Sequence, residues 1–108
     1  MAGKAPTATG YTHIARSPRF LGGEARIAGH RIRVRDIVAA RDVGGLSPEE
    51  IAANVYPGLS LAEVYAALAY YEDHREEIDL ARKNERRRAN EFLCAHPELA
   101  RDVRPRTR

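Results

Sequence analysis

The side chains with the most chemistry to offer are cations. In the run Ala25 to Val34, which reads as a hairpin turning at Ala28-Gly29-His30, the residues Ile27, Ile32 and Val34 fall on one face and Arg26, Arg31, Arg33 and Arg35 on the other. A row of guanidinium groups is either a solvated edge that discourages strand-to-strand aggregation or a ridge that binds anions. On the second reading Arg26, Arg31, Arg33 and Arg35 are the candidate DNA-binding residues, because affinity for a nucleic acid rests mainly on cations near phosphates. The groups that carry catalysis elsewhere are poorly arranged for it here. His13, His30, His74 and His96 are scattered without metal-ligand spacing, and Glu49-Glu50 and Glu76-Glu77 are neighbours that point about 100° apart on a helix. Cys94, beside Phe92 and Leu93, is expected to pack rather than react. Neither Gly22-Gly23 nor Gly44-Gly45 has the pattern of a phosphate loop. The expectation is a protein that is not an enzyme, with no cofactor and no metal site.

Charge is segregated along the 108 residues. Residues 1–44 carry eight Lys or Arg against three acids, residues 45–81 one against eight, and residues 82–108 nine against four, for net charges of +5, −7 and +5. Polyanions should therefore prefer the two flanks to the acidic centre. A single cysteine excludes an internal disulfide, which suits a reducing compartment. The first ten residues lack the apolar run of a signal peptide and no stretch is apolar enough to span a bilayer, so the expected setting is cytoplasmic, without a membrane partner.

The elements that must position these groups are mostly helical. Residues 1–10 read as a disordered tail, and Tyr11 to Ser17 permits a short strand that Pro18 closes. Apolar spacing predicts a helix from Arg35 to Val43, ended by Gly44-Gly45. Ser47 with Glu50, and Ser60 with Glu63, have the form of capping boxes that open helices over 47–55 and from 60 to about His74. In the latter, Tyr65 is expected to face the core and one of Tyr70 and Tyr71 to be more exposed, where it would serve a dimer or a partner. Residues 75–94 are helix-compatible but have a thin apolar stripe, and the segment after Pro97 reads as disordered until bound. The fold expected is mainly α: a helix-turn-helix of three short helices plus a C-terminal helix, with an N-terminal β-hairpin. Three short capped helices equally make a plain bundle. As domains, this gives a tail over 1–10, a hairpin and helix-turn-helix over 11–76, and a C-terminal helix and basic arm over 77–108. The first turns of the segment that would serve as recognition helix, Leu61, Ala62, Glu63 and Ala66, lack the donors that read base edges.

Taken together, the run from Gly22-Gly23-Glu24-Ala25-Arg26-Ile27 through Val34, then Asp36-Ile37-Val38, Leu46-Ser47-Pro48-Glu49-Glu50-Ile51, Tyr56-Pro57-Gly58-Leu59-Ser60-Leu61 and Val64-Tyr65-Ala66-Ala67-Leu68-Ala69-Tyr70-Tyr71 resembles the bacterial domain-of-unknown-function family 433 over roughly residues 12–76. The resemblance implies a hairpin-bearing helix-turn-helix and a place in a toxin–antitoxin operon beside a PIN-like ribonuclease toxin. It implies an antitoxin that binds the toxin and represses its own operon, expected to act as a homodimer on operator DNA. Where the family often has Cys after the glycines and Arg-Gly-Thr in the turn, this chain has Ala25 and Ala28-Gly29-His30. A PIN-like nuclease holds its metal with clustered carboxylates, so an arginine delivered among them would block it. The candidate toxin-binding residues are accordingly Arg82, Lys83, Arg86, Arg87 and Arg88. A stand-alone helix-turn-helix regulator and a non-DNA-binding adaptor module are the alternatives.

Overall fold

The structure, a computed structural model, describes residues 7–100. Three short antiparallel strands, β1 (Thr7–Ala8), β2 (Ile14–Arg16) and β3 (Arg26–Ile27), form a sheet in that order. Thr7 pairs with Arg16 and Ile14 with Ile27. Thr7 and Ala8, expected in a structureless tail, are thus a sheet edge, and residues 1–6 of that expected tail lie outside the described residues. The His30 amide closes the predicted turn onto the Ile27 carbonyl, and the returning limb pairs Arg33 with Arg26 through the Ile27 amide to the Ile32 carbonyl and the Val34 amide to the Ala25 carbonyl.

Four helices follow, with a last short turn. In α1 (Val34–Asp42), the Asp36 carboxylate accepts from the Arg33 amide and Nε at the N-terminus. At its far end Gly45, with φ of 69°, reverses the chain so that its N–H meets the Arg41 carbonyl. A side chain at Gly44 would place Cβ 2.6 Å from the Ala40 carbonyl oxygen, so the first of the two glycines is needed for space and the second for its left-handed backbone. Both predicted capping boxes are present. Ser47 opens α2 (Pro48–Glu50), which widens at once into a π-helical turn over Ile51–Val55, and Ser60 opens α3 (Leu61–Asp73). Next comes α4 (Arg75–Ala95), then α5 (Pro97–Ala100), a helical turn where the sequence suggested disorder. The expected domain boundary at 76/77 falls inside the first turn of α4, because Ile78 is buried in the same core as α1 and α3. No helix among the described residues is long and apolar enough to cross a membrane.

The core is a single cluster built on Ile27, Val34, Ile37, Val38, Ile51 and Val64, closed by Tyr70, Tyr71 and Ile78. The phase of α3 differs from the sequence expectation. Val64, Ala67, Tyr70 and Tyr71 are buried, whereas Tyr65 is 47% exposed. Apolar residues occur all round this helix, so its own periodicity cannot decide which side turns inward. Packing against α1, the sheet and α4 decides it.

Candidate partner-binding surfaces

The four hairpin arginines do not form one ridge. Arg33 is held by Asp36 at the start of α1. Arg35 lies in the first turn of that helix with its side chain 10% exposed, its Nε donating to Glu24 at 2.9 Å and its Nη2 3.8 Å from Glu85. Arg33 thus caps α1, and Arg35 ties that helix to Glu24 and to α4. The period-two alternation that aligned them ends because β3 is two residues long and the helix begins at Val34.

Arg26 and Arg31 remain together, and they are joined by residues the alternation did not point to. Their guanidinium carbons sit 4.6 and 4.9 Å from the centre of the Phe20 ring, a cation–π pairing of two like charges on one aromatic. Arg26 is 8% exposed, donates from Nη1 to the buried Ser17 hydroxyl at 3.1 Å, and leaves Nε buried without an acceptor. Among the described residues neither Arg26, Arg31 nor the exposed Arg19 lies within 4 Å of a carboxylate. A buried guanidinium without an anion is unfavourable on its own, and an incoming anion would relieve it. Removing both partners should therefore cost the fold little: Arg26→Met combined with Ser17→Ala is expected to leave stability within about 1 kcal/mol of the parent, because no half of the pair stays buried and unmet. Denaturant unfolding checks this, and a loss of several kcal/mol would mean that Arg26 is a structural residue.

The second cationic set divides as well. Arg82, with its side chain 17% exposed, bridges to Asp42 on α1 at 3.4 Å and to Asp79 at 4.0 Å, so it fastens α4 to the body. Lys83 and Arg86 are exposed and pair with nothing among the described residues, while Arg87 and Arg88 make helix-surface pairs with Glu91 and Glu85. Beyond Glu85 the helix leaves the body. Residues 86–92 are exposed throughout, and the outer turns carry Phe92, 52% exposed and against His96, together with Leu99. Cys94, expected to pack, is exposed for the same reason. A helix of 21 residues is about 31 Å long, and among the described residues about half of it meets nothing but the short α5 turn. Residues 101–108 of the expected arm lie outside the described residues.

The acidic centre is largely occupied with the fold. Tyr65 donates to Glu49 at 3.0 Å, Tyr71 to Asp79 at 2.8 Å and Tyr11 to Asp73. The Arg41 guanidinium holds the Asp42 carboxyl below its ordinary range, and Glu49 is held down by its own backbone amide and by the Tyr65 hydroxyl. Folded values below the unfolded ones mean stability that is present above about pH 4 and lost as pH falls through the lowered values. The melting temperature should therefore be flat from pH 7 to 5 and drop between pH 4 and 3, and a melt that improved on acidification would contradict these pairings.

A cleft of about 400 Å³ opens between the N-terminal strands and the C-terminal end of α3, lined by Thr9, Arg16, Ser17, Tyr70 and His74. Its Arg16 is engaged by the Gly23 carbonyl and by Glu77, and His74 stacks on Tyr70 at 4.0 Å while its Nδ1 meets the Tyr70 carbonyl. Arg16 thus ties β2 to α4, and His74 closes the end of α3.

Comparison with known proteins is consistent with this architecture. The family described as Protein of unknown function (DUF433) matches residues 14–71. A solved structure of a DUF433 member protein from Anabaena variabilis ATCC 29413 is 42% identical, with a TM-score of 0.58 over 64% of this chain, and the match spans 66% of that relative's length. No curated protein matches.

Proposed function

The chain belongs to the DUF433 family, and we propose that this member is the antitoxin of a type II toxin–antitoxin pair, a binding module without catalytic activity that acts in the cytoplasm. The observation that carries the reading is the overhang of α4, a helical segment that leaves its own body just after the exposed Lys83 and carries Arg86, Arg87 and Arg88 beside Phe92. An isolated stretch of this length is marginal in water, so a helix of this form is best stabilised by a partner that buries it. The partner that fits is acidic. A PIN-like ribonuclease, whose metal-holding carboxylates would accept Arg86, Arg87 or Arg88 in charge-assisted hydrogen bonds, meets that description. Arg82 is given a positioning role in this scheme, since it fixes the direction in which the helix leaves. Co-expression with a PIN-like nuclease encoded beside this chain should restore growth and yield a co-purified complex; the absence of such a neighbour, or failure of both readouts, removes the reading.

Repression of the operon belongs to the same proposal with a smaller contact set than the sequence suggested. Arg19, Arg26 and Arg31 around Phe20 would meet operator phosphates, and a homodimer would set two such clusters on a palindrome. Each phosphate contact contributes about 0.9 to the slope of log affinity against log salt, so Arg31→Gln should lower that slope by about one while Arg33→Gln leaves it unchanged. Equal effects at the two positions would restore the four-arginine ridge.

A further inference from the structure

The outward side of α3 is apolar where a solvated helix carries charge. Leu61, Ala62, Tyr65 and Ala69 lie within an arc of about 100° and all are exposed, Leu61 by 39% and Tyr65 by 47%. The opposite side, Val64, Ala67, Tyr70 and Tyr71, is already committed to the core. Glu49, which accepts from the Tyr65 hydroxyl, and the exposed Glu72 lie at this outer stripe, and the sequence has no Lys or Arg between Arg41 and Arg75. In a helix-turn-helix this is the side that meets DNA, and here it would repel phosphates. An exposed apolar stripe with an acidic rim calls for a basic amphipathic partner.

Such a partner exists in the chain itself. The overhang of α4 is basic at Arg86, Arg87 and Arg88 and apolar at Ala89 and Phe92, and among the described residues it is exposed from 86 to 92. Its ten residues, 86–95, span about 15 Å, against about 12 Å for the stripe from Leu61 to Ala69. Two α3 stripes facing each other would set their acidic rims in opposition, whereas α4 against α3 pairs opposite charges. We propose that the outer face of α3 seats the α4 overhang of a second copy, so that the free protein is a reciprocal two-fold dimer with two identical seats. This locates the homodimer contact in the reading above and fails separately from it: a monomer that still rescues growth ends this inference and spares the antitoxin. A toxin that takes the overhang must then displace the second copy.

Cys94 is the single cysteine and lies on the overhang, which supplies the test. Sedimentation of the full chain without toxin at about 100 µM should give twice 12.0 kDa. Ala69→Cys, treated with a short bis-maleimide, should give a linked dimer through Cys94 of one copy and position 69 of the other. That product should vanish when Cys94→Ala is added. Charge reversal at Arg86, Arg87 and Arg88 to Glu should release monomers at unchanged helicity, and combining it with Ala62→Lys and Ala69→Lys should restore dimer. A monomer at 100 µM, a dimer linked through Cys94 to Cys94 in the parent, linkage that survives Cys94→Ala, linkage confined within one chain, or charge swaps without effect on mass would each overturn the proposal.

Discussion

Exchanging Arg86, Arg87 and Arg88 for Glu is expected to abolish binding to the proposed nuclease partner, weakening it at least a hundredfold, while the melting temperature moves by no more than a few degrees. The two halves of this expectation have different origins. Each of these side chains is solvent-exposed, and its contacts within the chain are at most helix-surface pairs such as Arg88 with Glu85, which contribute little to stability. Against a cluster of partner carboxylates in a water-poor contact, a reversed charge is far more costly than a missing one, and close charge pairs across interfaces are coupled by several kcal/mol each. Calorimetric titration together with a thermal melt reads both halves. Should the variant unfold, the overhang would belong to the body after all.

The opposite profile is expected at Ile37. It is fully buried in α1, the helix that touches α3, α4 and the π-helical turn, and truncation to Ala leaves a cavity that all three must share. Ile37→Ala should cost about 2–5 kcal/mol, a large part of the about 5–15 kcal/mol that separates folded from unfolded in a domain of this kind. Denaturant midpoints check this, and a loss below about 1 kcal/mol would mean that the core repacks. Operator and nuclease binding should decline only in proportion to the unfolded fraction, since Ile37 contributes to neither surface.

What could be read in the sequence was what depends on local chemistry. Ser47 with Glu50 and Ser60 with Glu63 announce two helix starts because a cap is satisfied by residues three positions apart, and both boxes form as expected. The helix ends before Gly44-Gly45 and Pro57-Gly58 follow from backbone sterics in the same way. What could not be read depends on where elements lie relative to one another. Arg26, Arg31, Arg33 and Arg35 share a face only while the backbone stays extended, and the change to helix at Val34 sends Arg35 towards Glu24 and Glu85. Leu61, Val64, Tyr65, Leu68 and Tyr71 all keep a helical period, which turns Tyr65 inward on paper; Val64 and Tyr71 are buried while Leu61 and Tyr65 are not, and the choice among them is made by neighbours distant in sequence. Phe20 and Arg19 gave no periodic signal, since a turn has none. The Arg-rich part of α4 was visible as charge, but that it stands clear of the body was not.

The account places the protein-binding chemistry on the α4 overhang and not on the hairpin. One titration separates these directly: the nuclease is offered, in parallel, the chain ending at Glu85 and the full chain with Arg19, Arg26 and Arg31 all changed to Gln. Loss of binding by the shortened chain and parent-like affinity in the hairpin variant is the result predicted here. Parent-like affinity in the shortened chain, with loss in the hairpin variant, would contradict it.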